Sequence, residues 1–147
     1  MIRSMVPVGP EHAEVLAALH MQGFEDAWDA PGLLGIMNTP GTFGFMAVDE
    51  FPLGFGLARV VLDETEILTL VVARQARAAG HGAALLEALM VGARARGAIQ
   101  MFLEVALDNP SAIRLYRRHG FETAGKRIGY YARPSGSVDG WIMQRGL

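Results

Sequence analysis

The sequence predicts a mixed α/β (α+β) single domain with a strand–helix–strand–helix–strand succession at its centre. Three observations carry this prediction. Residues 67–72, Ile-Leu-Thr-Leu-Val-Val, form a nearly continuous apolar run of the kind a central strand needs. Residues 83–95 place Leu85, Leu86, Leu89, Met90 and Ala93 on one helical face, and Gly97 follows Arg94 and Arg96 as a stop. Residues 99–106 form a second apolar run. Behind it, Asn109-Pro110 offers a capping side chain followed by a proline at the first helical position.

The flanking elements are read in order. Val6-Pro7-Val8-Gly9-Pro10 is a turn that opens a helix, whose stripe is Val15, Leu16 and Leu19. Residues 22–39 are irregular, with a short helix near 33–37. Residues 43–48 and 53–61 read as two strands around the turn 49–52, although Gly44, Gly54 and Gly56 weaken the pattern. The helix opened by Asn109 runs through Ile113, Leu115 and Tyr116 and stops at Gly120. Residues 121–131 and 140–144 are strands joined by the turn Pro134-Ser135-Gly136. No repeat and no linker divides the chain, so residues 1–147 are expected to form one domain.

Bulk composition narrows the function. At 147 residues and 51% hydrophobic content, the chain is long enough to bury a core and unlike a disordered one. No run reaches about 18 apolar residues, so no membrane span is expected. The N-terminal stretch lacks the apolar segment of a secretory leader, and cytoplasm is the expected compartment. The absence of cysteine removes disulfides, thiolate zinc sites and a cysteine acyl-enzyme. The four histidines, at 12, 20, 81 and 119, show no metal-ligand spacing, so no metal is expected, and His81 and His119 read as surface residues. The net charge of −2 hides an asymmetry: residues 1–66 carry ten acids and two bases, residues 67–147 five acids and eleven bases. The basic half suits an anionic ligand, while the absence of a lysine-rich run and a pI near 6.1 disfavour nucleic acid.

The basic half also contains the most informative segment. Between the strand at 67–72 and the helix at 83–95 lies Arg77-Ala78-Ala79-Gly80-His81-Gly82. A glycine-bearing loop between a strand and a helix start aims backbone N–H groups and the positive helix end at one point, which suits a phosphate. Gly80-x-Gly82 invites a dinucleotide reading, with Glu104 as the ribose acid, but its third glycine position falls on Leu85. A P-loop is excluded by the missing Gly-Lys-Ser/Thr.

Taken together, these segments resemble the GNAT superfamily of N-acetyltransferases. Arg77-x-x-Gly80-x-Gly82 is similar to its acetyl-coenzyme A loop, after the expected strand. Leu103-Glu104-Val105-x-x-x-Asn109-x-x-Ala112-x-x-Leu115-Tyr116-x-x-x-Gly120-Phe121 is similar to the downstream half. Arg127-x-x-Tyr130-Tyr131 followed by Asp139-Gly140-x-Ile142-Met143 resembles the subgroup that acetylates protein N-termini, most of all the bacterial ribosomal-protein-alanine N-acetyltransferases. The likeness is good over 60–147 and loose before. Arg74, Val71, Gly140 and Trp141 depart from the usual residues, as does the segment 25–37. The resemblance implies a GNAT-like fold, with a central, mostly antiparallel mixed sheet of about six or seven strands flanked by about four helices. It also implies acetyl-CoA as cosubstrate, a primary amine as acceptor, and a monomer or homodimer.

Attack of a neutral amine on a thioester needs a base for the amine proton, donors for the developing oxyanion and an acid for the departing thiolate. An α-amino group has a pKa of about 7.7–8.0, so a modest base suffices. Glu104 lies in the apolar run Met101-Phe102-Leu103-Glu104-Val105, where a carboxylate requires either an arginine partner or a function. The resemblance assigns it as general base, directly or through a water. It assigns Tyr116 as the acid for the coenzyme A sulfur, beside its reading as a core tyrosine. Asn109 and Ala112 would contact the pantetheine arm, although Asn109 is also a helix cap. Leu70, Val71 and Val72 would pair with that arm as with an extra strand, one N–H polarising the thioester carbonyl. Arg77, Ala78, Ala79, Gly80, His81, Gly82 and Ala83 would hold the pyrophosphate. Tyr130 and Tyr131 would line the acceptor groove, one facing it and the other packing, since neighbours in a strand face opposite sides. Trp28, within the acidic run Glu25, Asp26 and Asp29, would receive the acceptor. The acceptor is expected to be a protein N-terminus; a small amine, or a noncatalytic acyl-coenzyme A sensor, are the alternatives.

Overall fold

A computed structural model describes residues 3–147; Met1 and Ile2, the start of the stretch read above for a leader, lie outside the described residues. The chain forms a seven-stranded sheet in the order β1-β2-β3-β4-β5-β7-β6. The strands are β1 (Ser4–Pro7), β2 (Thr42–Val48), β3 (Pro52–Val61), β4 (Glu64–Val72), β5 (Gln100–Ala106), β6 (Glu122–Tyr131) and β7 (Val138–Gly146). The helices are α1 (Ala13–His20), α2 (Ala30–Met37), α3 (His81–Ala95) and α4 (Pro110–Arg118), with short 3-10 turns at Pro10–His12 and Arg74–Ala76. Every neighbouring pair of strands is antiparallel except β4 and β5. The mixed, mostly antiparallel sheet and its four α-helices agree with the sequence reading. No helix among the described residues is long and apolar enough to cross a membrane.

One strand escaped the sequence. β1 occupies the start of the segment read as a turn, and pairs with β2 at the sheet edge. Four residues ending in a proline carry no alternation to detect, and an edge is where a strand tolerates proline. The glycines that weakened β3 have a packing reason. α3 lies close against that face of the sheet, and a Cβ on Gly56 would come within 2.8 Å of Leu89 Cδ1. The stripe read from the sequence, Leu85, Leu86, Leu89, Met90 and Ala93, is buried throughout. Asn109 caps α4 by accepting from the Ala112 N–H at 3.3 Å, and Gly120 ends it with φ +84°.

Two apolar clusters flank the sheet. One gathers Leu86, Leu89 and Met90 of α3 and Tyr116 of α4 over Met101, Leu103, Val105 and Met143. The other gathers Leu16 and Leu19 of α1 and Leu33 of α2 over Leu53, Phe55, Leu57 and Val71. α1 and α2 cover β2–β4 only, so the same face of β5, β7 and β6 is left more open.

A histidine fastens this second layer. His20 is buried between the rings of Phe24 and Trp28, at centroid distances of 4.4 and 4.7 Å. Its Nδ1 accepts from the Trp28 N–H at 3.0 Å, which leaves the proton on Nε2 to donate to Thr69 Oγ1 of β4 at 3.1 Å. Burial holds its pKa down to about 4. The folded value lies below the unfolded one of about 6.5, so the unfolded chain takes up the proton first. The stability this histidine contributes is complete above about pH 6.5 and is lost as pH falls towards 4, about 3 kcal/mol over that window. Urea unfolding from pH 7 to 4 should therefore show a falling free energy whose slope is reduced in His20→Phe. Equal slopes in the two proteins would show that another group controls acid unfolding.

Candidate active site

The site begins with an interrupted strand pairing. β4 and β5 pair only over Glu64–Glu66 against Gln100–Phe102. Just beyond, Leu57 pairs with Thr69 and Ala58 with Ile67, so Leu68 is an extra residue and β4 bulges. The rest of β4 then diverges from β5. The direction of its free backbone groups follows from alternation. The Ala73 N–H donates to the Leu53 carbonyl at 2.8 Å, so Val71 likewise turns its N–H and C=O towards β3. Leu70 and Val72 turn theirs into the gap. This corrects the sequence reading for Val71: its backbone is committed to β3 and its side chain is buried in the α1 layer.

The glycine loop lies at the mouth of this gap. Gly80 precedes α3 with φ +82°, Ala78 has φ +61°, and no side chain caps the helix. The first intrahelical donor is Ala84, whose N–H reaches the Gly80 carbonyl at 3.1 Å. The N–H groups of His81, Gly82 and Ala83 therefore lack helical partners, and with the helix dipole they make an anion cradle. A Cβ on Gly82 would point at Leu115 and Val72, 3.4 and 3.8 Å away, into the gap. An extended arm ending in a diphosphate fits these groups: edge donors on β4, then amides on α3. Arg77 supplies its charge from a braced position, its Nε donating to the Val72 carbonyl at 3.3 Å and its Nη2 to Gln22 O at 2.9 Å. His81 Nδ1 lies 2.9 Å from Arg3. Ala79 is exposed on the same loop, and Ala112 lies in the first turn of α4.

Glu104 lies on the face of β5 opposite Leu103 and Val105. The strand registers place Arg59, Glu66, Phe102, Glu104, Ile142 and Arg127 on one face, the face left open beyond α1 and α2. Glu104 keeps 26% of its side chain exposed, and Oε1 is 2.8 Å from Arg127 Nε. The arginine partner considered from the sequence is thus present, and it leaves Oε2 for a proton acceptor's work. Glu66 is pushed above its ordinary value by burial and by the Glu104 charge, against the pull of Arg59 and Arg127. Tyr131 is pushed up to about 12 by burial and then by Glu104. Tyr116, buried in the α3–α4 layer edge-on to Phe121, is raised by burial and then by Tyr131, so its hydroxyl stays protonated throughout the physiological range.

The two tyrosines of β6 do not divide between the faces as expected. Their rings meet edge to face at 5.1 Å, because Gly129 at φ +62° interrupts the pairing between Arg127 and Tyr131 and cancels the alternation. Tyr131 lies over Gly140, where a Cβ would come within 2.6 Å of its ring. That contact explains the glycine at 140. Tyr130 is 54% exposed, with the Arg127 guanidinium 5.2 Å from its ring centre. Trp28 stacks on His20 and lines a cavity with Ile36, Thr39, Thr42, Arg59 and Leu68. Asp29 is occupied as the cap of α2, accepting from the Gly32 N–H at 2.8 Å. His119 is not a simple surface residue: Nδ1 donates to the Leu115 carbonyl at 2.9 Å, and Nε2 lies 3.3 Å from Glu87 Oε1. The sequence reading missed Glu66, Arg59 and Arg127 as site residues. The alternation of Glu64, Glu66, Leu68 along a strand was its only trace.

Comparison with known proteins agrees with this geometry. Residues 12–121 match the Acetyltransferase (GNAT) family. The [ribosomal protein bS18]-alanine N-acetyltransferase of Salmonella typhimurium strain LT2 is 35% identical over 98 residues, 67% of this chain and 66% of that protein. That of Escherichia coli K12 is 38% identical over 89 residues, 60% of each. The match thus spans slightly less than two thirds of these relatives' length. The crystal structure of the Escherichia coli ribosomal-protein-S18-alanine N-acetyltransferase superposes with a TM-score of 0.93 at 24% identity, covering 99% of this chain and 94% of that one. Arabidopsis thaliana NAA60 in complex with acetyl-CoA superposes with a TM-score of 0.86 at 22% identity, covering 99% of each. With the family matched over most of its length, and with the open β4 edge beside the uncapped start of α3, the chain belongs to the GNAT acetyltransferase family.

Proposed function

We propose that the protein transfers the acetyl group of acetyl-CoA to the α-amino group of a protein N-terminus, of the ribosomal-protein-alanine type, by direct attack with both substrates bound. The observation that carries this reading is the junction of three features at one gap: the unpaired backbone of Leu70 and Val72, the free amides of α3, and Glu104 with an unengaged oxygen. The named relatives support the choice of acceptor.

Each residue has a defined task. Leu70 and Val72 hold the pantetheine arm as a strand would, and one N–H polarises the thioester carbonyl. His81, Gly82 and Ala83 donate to the pyrophosphate, with Ala78, Ala79 and Gly80 shaping the loop and Arg77 bracing it. Asn109 keeps its cap while its α4 turn, with Ala112, borders the arm. Glu104 takes the amine proton through Oε2, directly or by way of a water, while Arg127 fixes its orientation. Tyr116 donates a hydrogen bond to the departing sulfur. A phenol raised above about 10 is a weaker acid than a thiol near 8.5, so stabilisation by hydrogen bonding, rather than early full proton transfer, is its contribution. Tyr130, Tyr131 and Trp28 border the acceptor groove. The compartment is the cytoplasm, where ribosomal proteins are made.

The test of the assignment is a peptide array incubated with acetyl-CoA and scored by mass spectrometry. N-terminal acetylation of peptides confirms the acceptor class, whereas acetylation confined to small amines replaces it. Glu104→Gln should lower kcat roughly a hundredfold or more while the calorimetric affinity for acetyl-CoA stays within about twofold. Full kcat from pH 6 to 9 would remove Glu104 as the base. Gly82→Val should abolish measurable cofactor affinity, since its branched side chain enters the gap between Leu115 and Val72; unchanged affinity would place the diphosphate elsewhere.

A further inference from the structure

One polar feature of the acceptor face is not used by the chemistry above. Under α2, a cavity of about 170 Å³ is lined by Trp28, Ile36, Thr39, Thr42, Arg59 and Leu68. Two of its lining residues carry buried polar atoms with no hydrogen-bond partner among the described residues, Thr42 Oγ1 and Arg59 Nε. Arg59 also has no ion pair among them, although it faces Glu66 across the β3–β4 register. Leaving such groups without partners costs on the order of 1–3 kcal/mol each. Two in one cavity, with apolar walls from Trp28, Ile36 and Leu68, describe a socket awaiting a polar tip on a short stem.

Its position relates it to the reacting centre. Leu68 is the bulged residue of β4, two residues before Leu70, about 7 Å along the strand. An extended acceptor advances about 3.3 Å per residue, so the side chain of its first or second residue reaches the cavity. The chemistry of the socket selects the tip. Arg59 Nε only donates, whereas the Thr42 hydroxyl donates or accepts. A hydroxyl or a carboxamide satisfies both. A carboxylate is opposed by Glu64 and Glu66 nearby and by the acidic excess of residues 1–66.

We infer that this cavity is a specificity pocket for an uncharged oxygen-bearing side chain, serine, threonine or asparagine, within the first two residues of the acceptor. The inference rests on the N-terminal acceptor proposed above. It narrows that acceptor beyond alanine, whose methyl group leaves both polar atoms unpaired. Sites built to bond a substrate hydroxyl discriminate strongly against the analogue that lacks it.

Peptides differing only at position 1 or 2, Thr against Val and Asn against Leu, test this as competing pairs with acetyl-CoA and mass-spectrometric readout. At one of the two positions the oxygen-bearing member should have a kcat/KM at least tenfold higher. Thr42→Val should bring that ratio close to one, and Thr42→Ser should restore it. A ratio near one in the unmodified protein means that the cavity holds only water and overturns the inference, with the acceptor class left standing. The same ratio in the unmodified protein and in a folded Thr42→Val overturns it equally. Acetylation of no peptide, with acetyl-CoA still bound, overturns the acceptor class and this inference with it.

Discussion

The arrangement depends on a single extra residue in β4. A parallel pair of central strands is normally bonded along its length, and its edges are then closed to ligands. Leu68 breaks that regularity. Before it, Glu64–Glu66 holds β5 in register; after it, Leu70 and Val72 direct their backbone groups away from both neighbours. Unpaired backbone amides inside a protein are costly, so the gap is stable only if something else bonds there. Arg77 meets part of this need by bonding the Val72 carbonyl, and the same guanidinium reaches Gln22 O beyond the end of α1. The loop that prepares the anion cradle is thereby tied to the strand that prepares the edge.

The gap also joins two chemically different faces. Towards α3 and α4 lie free amides and a basic half-sequence, suited to a diphosphate. Towards the open face lie Glu66, Glu104 and Arg127. A carboxylate on a central strand is tolerable because Arg127 compensates it and a quarter of its side chain remains wet. Tyr131 then occupies the space above Gly140 and carries the influence of the Glu104 charge to the neighbouring Tyr116. On the proposed reading, cofactor and acceptor enter from opposite sides and meet only in the gap, which requires both to be bound at once.

How much of this was legible follows from the range of each interaction. α3, its buried stripe, the cap at Asn109 and the stop at Gly120 are local features, and the sequence displays them without any knowledge of the partner strands. The strand succession and the glycine loop were readable for the same reason. The bulge at Leu68 was not, because it is defined only by the register of β3. The error over Val71 descends from it: side-chain alternation can be read from a sequence, but which edge a backbone faces requires the neighbouring strand. The pairing of Tyr130 with Tyr131 failed to follow alternation because Gly129 interrupts it, a left-handed residue hidden in an otherwise ordinary strand. Glu104 was legible as an anomaly in an apolar run, whereas Arg127 sits in an exposed strand where an arginine attracts no notice.

The histidine at the end of α1 connects the two ideas. Its Nε2 donates to Thr69, the residue immediately before Leu70, and its Nδ1 holds the backbone of Trp28. The strand that presents the edge donors is therefore bonded, through one imidazole, to the wall of the pocket beneath α2. Stacking on both ring faces fixes the imidazole's plane, and burial keeps it neutral, so both bonds persist at any pH at which an α-amine is free to react. A selective pocket needs a wall that does not yield to the wrong side chain, and a reacting thioester needs a carbonyl that does not drift. By anchoring Trp28 to β4 rather than leaving it on a free loop, the fold places both requirements on one rigid strand.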